Sequence, residues 1–200
     1  MSRKIILRSI LLVIIMLILT NMILYTNSAV KNDNYGLSLF FSTINSNRNI
    51  IFLVVFSLLY PSILLIDYFD YDNNKFSNLI QIRIGRKKFY VISLIKVFCT
   101  YALLTLIIYC LMLIDIHIFW SPVSFVRDQP IGLYFSVNPL ENLILFLSIS
   151  SIGSGVYACF LYSIIYVCNN KYIYWVAMIL NVLISIFAST FVVSFIRSIF

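Results

Sequence analysis

Charged side chains are what this 200-residue chain has least of: 10% of its residues are Asp, Glu, Lys or Arg, whereas 62% are hydrophobic. A soluble domain carries about 25% charged and ~45–50% apolar residues. With a mean hydropathy of +1.01, the chain cannot hide its apolar side chains inside one water-soluble core. Disordered, disulfide-rich and coiled-coil classes are excluded as well. A multi-spanning membrane protein remains.

Reactive motifs are equally sparse. The four cysteines, Cys99, Cys110, Cys159 and Cys168, fall within or at the ends of apolar runs, and none shows CxxC spacing. They read as small packing residues, not as redox or zinc ligands. The single histidine forms an acid–His pair, Asp115-Ile-His117, which offers too few ligands for zinc. No HExxH occurs, no carboxylate sits mid-span, and there is no GxxxxGK[ST] phosphate loop. The chain therefore carries no catalytic residues and binds no cofactor of its own. If it works in active transport, ATP and Mg are held by another polypeptide.

A spanning helix needs about 20 predominantly apolar residues to cross ~30 Å of hydrocarbon. Five runs qualify, over residues 9–25, 50–66, 89–114, 143–168 and 173–196. The first has the charged start of a signal peptide, but no clear small-residue cleavage site follows it, so it reads as a retained helix. The expected fold is thus an all-α membrane protein in one transmembrane domain, residues 1–200. Five spans leave the C-terminus opposite the N-terminus, unless a sixth helix is missing or re-entrant.

The formal charge of +7 does not mark a nucleic-acid binder, because the bases sit between apolar runs. With the N-terminus cytoplasmic, ten of the 14 Lys and Arg lie inside: Arg3, Lys4, Arg8, Lys75, Arg83, Arg86, Lys87, Lys88, Lys96 and Lys171. Lys31, Arg48, Arg127 and Arg197 lie outside. That asymmetry sets the orientation. Frequent Ile, Asn, Phe, Tyr and Lys fit an AT-rich bacterial genome, and the expected location is the bacterial cytoplasmic membrane.

The two outer segments, 27–49 and 115–142, contain Gly36-Leu-Ser-Leu-Phe-Phe41 and Trp120, Pro122, Pro130, Tyr134 and Pro139. Both are expected to lie on, or dip into, the outer leaflet. The cytoplasmic segment 67–88 says more. Three acids including Asp72 are followed by an amphipathic stretch, in which Asn73 or Asn74 caps a short helix running to about Ile82. Phe76, Leu79 and Ile80 fall at i, i+3 and i+4, on one face. Gly85 then lets the chain turn, and Arg83, Arg86, Lys87 and Lys88 meet the headgroups. The segment is either an amphipathic connector with basic anchors or a docking surface for a soluble partner.

Asp67 through Lys96 resembles the stretch between the second and third helices of ABC-2-type exporter permeases, with Ile84-Gly-Arg-Lys-Lys-Phe-Tyr90 as the basic step and Lys96 as the early lysine of the next span. Asn138-Pro-Leu-Glu-Asn142, Gly153-Ser-Gly155 and Asn169-Asn-Lys-Tyr172 are similar to small permeases encoded beside bacteriocin or lantibiotic ABC systems. The resemblance implies a permease subunit whose segment at Asp72, Asn74, Lys75, Phe76, Leu79 and Ile80 docks an ATP-binding-cassette ATPase. It also implies a second permease subunit, identical or divergent, and an amphipathic peptide or lipid-like substrate. Members of that family have six helices with both termini inside, and this chain has no evident sixth. A non-transporting accessory or immunity protein against a bacteriocin-type peptide is the other reading.

Within the spans, Ser151, Gly155 and Cys159 recur at i, i+4 and i+8, as do Ala177, Asn181, Ser185 and Ser189. Such faces let helices approach closely, either within one subunit or at another. Lys96 lies eight residues beyond Lys88, about 12 Å deeper if helical. It either snorkels to the headgroups or faces a cavity.

Overall fold

The computed structural model describes residues 3–26, 35–45, 65, 75–125, 135–168, 172–177, 179–180 and 183. Apart from turns and short connecting residues, these are helical, with no strand among the described residues. The helices are α1 (Arg3–Thr26), α2 (Gly36–Asn45), α3 (Lys75–Ile84), α4 (Arg86–Phe119) and α5 (Pro139–Cys168). α1, α4 and α5 are long and apolar enough to cross a membrane. The protein is a helical membrane protein. Of the five expected spans, these three coincide with described helices. Nearly all of 50–66 and most of 173–196 lie outside the described residues, although 172–177 are helical.

These three helices overrun the apolar windows read from sequence because nothing in their ends breaks them. In hydrocarbon every backbone N–H must find an internal partner, which forces even Ile-rich runs into helix. α4 contains neither glycine nor proline over 34 residues, a length of about 51 Å. It stops where Trp120 and Ser121 both donate their backbone N–H to the Ile116 carbonyl, just before Pro122. α5 starts with proline at its first position, where no N–H is needed. Asn138 caps it by accepting from the Leu140 N–H at 3.2 Å. Glu141 braces the cap by accepting from the Ser136 hydroxyl at 2.8 Å and the Asn138 amide at 3.3 Å.

α4 and α5 form an antiparallel pair. Contacts step down α5 as they step up α4: Tyr90 with Ser163, Leu94 with Cys159, Phe98 with Gly155, Tyr109 with Phe146. Val97, Tyr101, Ile108 and Met112 of α4 and Ala158, Leu161, Tyr162 and Ile165 of α5 are buried along this seam. α1 runs parallel to α4, because Asn21 near its end meets Asp115 near the end of α4. The starts of α1 and α4 therefore share one end of the bundle with the finish of α5. This basic end carries Arg8, Arg86, Lys87 and Lys88.

α2 lies in the first outer segment, expected to lie on or dip into the outer leaflet, and it packs against other helices. Leu37, Leu39, Phe40, Phe41 and Ile44 are all buried, so this helix is wedged among protein and not laid against lipid. It starts at the end opposite the bases, where the Gly36 N–H donates to the Pro122 carbonyl at 3.1 Å. A side chain at Gly36 would collide with the Ser121 carbonyl oxygen, which fixes glycine there. Deeper in, Phe40 and Phe41 meet Phe146 edge-on at centroid distances of 6.0 and 5.5 Å, and Phe40 meets Tyr109 at 6.1 Å. Ten residues reach only about 15 Å. α2 enters the bundle without crossing it.

Candidate functional site

At the basic end, α3 meets α4 at a corner made by Gly85. Its φ of 85° and ψ of 139° lie in a region open essentially to glycine alone. The corner keeps its hydrogen bonds: the Gly85 N–H donates to the Gln81 carbonyl at 2.9 Å, and the Gly85 carbonyl accepts from the Phe89 N–H at 3.0 Å. Two helices of different direction are thus joined with no slack residue between them.

α3 extends two residues past the expected end at Ile82, because Gly85 and not Ile82 is the breaking residue. Leu79 is 65% exposed, but Ile80 is only partly so, so the two do not share one environment as the spacing suggested. Ile82, which the i, i+3, i+4 count passed over, is 81% exposed. Leu79 and Ile82, three positions apart, form the bare apolar edge of the helix. Arg83, Arg86, Lys87 and Lys88 are exposed around it. Asp72, Asn74 and the side chains of Lys75 and Phe76 lie outside the described residues.

Just inside the corner, three tyrosines hold α4 to α5. Tyr90 packs on Tyr166 at 4.7 Å and lies near-parallel to Tyr162 at 6.1 Å. The Tyr90 and Ser163 hydroxyls are 2.7 Å apart, and Ser163 also donates to the Cys159 carbonyl at 2.8 Å. Farther along, the Thr105 and Ser154 hydroxyls pair at 2.6 Å. Each such bond between membrane helices contributes about 0.6–2 kcal/mol. Displacing the start of α4 therefore drags α5 along.

Of the small residues singled out on α5, Ser151 and Gly155 are buried, and Cys159 is partly buried with its thiol toward the Leu94 carbonyl at 3.5 Å. A Cβ on Gly155 would stand 2.8 Å from the Phe98 ring. This face is occupied by α4 of the same chain. Ala177 is partly buried in the helical residues 172–177, and Asn181, Ser185 and Ser189 lie outside the described residues. Lys96 is exposed on α4, on the side away from the α5 seam, flanked by exposed Ile92, Ile95 and Leu103.

The opposite end holds a constellation that the sequence reading missed. Asn21 donates from Nδ2 to Asp115 Oδ2 at 2.7 Å and to the Leu17 carbonyl at 3.0 Å, while its Oδ1 accepts from Trp120 Nε1 at 2.7 Å. One amide thus joins α1, α4 and the chain beyond α4. The available signal was an amide inside an otherwise apolar run; its partners, 94 and 99 residues away, carried none. His117 does not join Asp115: its Nδ1 accepts from the Val123 N–H at 3.0 Å. Among the described residues no three His, Cys, Asp or Glu side chains group as metal ligands.

Compared with protein-family models, curated proteins and solved structures, the chain matches none.

Proposed function

We propose that the chain is a transmembrane subunit of an ATP-binding-cassette exporter in a bacterial cytoplasmic membrane. The observation that carries this reading is α3, a discrete helix that bares Leu79 and Ile82 at the basic end and is joined through Gly85 to the braced α4–α5 pair. Force applied to α3 by a soluble motor passes around the corner into α4 and, through the tyrosines, into α5. The ATPase subunit holds ATP and Mg, and this chain supplies the lever.

In this reading the chain has five spans, the described three plus 50–66 and 173–196, with the N-terminus and α3 in the cytoplasm. The clustering of Arg8, Arg86, Lys87 and Lys88 at one bundle end supports that orientation. A second permease subunit, identical or divergent, completes the pathway for an amphipathic peptide or lipid-like substrate.

The test is gentle solubilisation of the tagged chain from its native host. An ATP-binding-cassette ATPase co-purifies with the wild type and is lost in the Leu79→Asp/Ile82→Asp double variant. Recovery of the wild type without such an ATPase, or unchanged retention by the double variant, refutes the docking role. A bacteriocin-type peptide recovered in place of the ATPase identifies the accessory or immunity protein instead.

A further inference from the structure

At the end of the bundle away from the bases, the chain leaves α4 through residues 120–123, and a hydrogen bond at each residue fixes this stretch. The Trp120 and Ser121 N–H groups both donate to the Ile116 carbonyl. The Trp120 indole donates at 2.7 Å to Asn21, the hub that also holds Asp115. The Pro122 carbonyl seats α2 by accepting from the Gly36 N–H at 3.1 Å. The Val123 N–H, last of the stretch, donates to His117 Nδ1 at 3.0 Å.

That last bond differs from the others in needing one protonation state: it exists only while Nδ1 carries no proton. A proton there turns Nδ1 into a donor, and two N–H groups then point at each other. The imidazole must swing away, and the carbonyls of the last turn of α4, the negative end of the helix, attract the cation. Protons reach it readily. His117 is exposed and stands 29 residues beyond Lys88 on one unbroken helix. That is about 44 Å, more than the ~30 Å of hydrocarbon. The other titratable side chains described at this end are Tyr25 of α1, Tyr35 before α2, Asp115 of α4 and Glu141 of α5. Asp115 is engaged by Asn21, and Glu141 by Ser136 and Asn138. None of these is a base, and imidazole is the side chain whose charge ordinarily changes between pH 5 and 8.

We infer that His117 is a proton-operated latch: without a proton on Nδ1 it clips residues 120–123 to α4, and on acidification it lets them go. Because the Pro122 carbonyl seats Gly36, the stretch released is the one that holds the start of α2. The inference goes beyond the exporter reading and is independent of it, since neither α3 nor an ATPase takes part.

The chain has a single histidine, so nitrogen NMR of the full-length protein with isotope-labelled histidine, in phosphatidylcholine nanodiscs, reads this ring alone. The expected form at pH 8 is the Nε2–H tautomer. A nitroxide at exposed Phe125, in a cysteine-free background, reports the mobility of the stretch. Its mobile fraction rises about fivefold from pH 8 to pH 5, the change that loss of one hydrogen bond gives. His117→Asn, whose side-chain oxygen stands near the place of Nδ1 and takes no proton, keeps the label restrained at both pH values. His117→Lys, which can only donate, frees it at both. An Nδ1–H tautomer at pH 8, or equal mobility of the label at the two pH values with His117 in place, overturns the inference without any His117 variant having to fold. A pH response that survives His117→Asn overturns it too, and if Asp115→Asn then removes that response, the proton belongs to the Asn21 hub.

Discussion

Replacing Asn21 by leucine removes three hydrogen bonds at once and strands the Trp120 indole N–H and the Asp115 carboxylate at a half-buried position. Leaving such groups unsatisfied costs about 1–3 kcal/mol. The expected result is a lower thermal midpoint in detergent, with a red-shifted Trp120 emission in the Trp175→Phe background. Two glycines on α5 make a second residue-scale comparison. A Cβ at Gly155 meets the Phe98 ring, whereas one at Gly153 meets nothing within 4 Å. Gly155→Val should therefore destabilise by about 1–3 kcal/mol through overpacking of the α4–α5 seam. Gly153→Ala should raise stability by roughly 0.4–1 kcal/mol, because it restrains the unfolded chain at a site with room for the methyl. Parallel thermal denaturation of the two variants checks both signs.

At the scale of elements, the corner between α3 and α4 is the most exacting feature. Gly85 has a positive φ but a ψ far from the left-handed helical value, so asparagine, which tolerates that helical region, gains no advantage here. Gly85→Ala and Gly85→Asn are both expected to cost roughly 1–3 kcal/mol and to disturb how α3 is presented. Protease accessibility around residues 75–84 and retention of a co-purifying ATPase measure the two effects. The corner was legible in the sequence, because a glycine followed by three bases after an amphipathic stretch has few other uses. The exposed edge was legible only in part. Spacing placed Leu79 and Ile80 together, but which side of a short helix is bare depends on what packs against the other side. α2 was the hardest element to read. A ten-residue apolar run looks the same whether it rests on a leaflet or is enclosed by other helices, and the deciding contacts, Phe40 and Phe41 with Tyr109 and Phe146, lie far away in the chain.

For the whole molecule, α1 and α4 run parallel and α5 runs back, so the basic corner and the Asn21 hub lie at opposite ends of the described helices. In a cysteine-free background, cysteines placed singly at Lys87 and at Val137, both exposed, should react with an impermeant thiol reagent from opposite sides, with Lys87 labelled only after the cells are opened. Labelling of Lys87 from outside intact cells would reverse the orientation. The three spans were readable because Lys and Arg bracket apolar runs of membrane length, a signal local to each run. The hub was not readable, since it depends on the register of one span against another. The wedge of α2 also bears on how the chain is made. Its partners Tyr109 and Phe146 emerge from the ribosome only after much more of the polypeptide has been synthesised. A segment too short to be retained as a span must therefore wait, half-housed, until α4 and α5 have been threaded into the bilayer and close around it. The packing of α2 is thus completed only after α4 and α5 exist, and substitutions at Phe40, Phe41, Tyr109 or Phe146 are expected to lower the yield of folded protein.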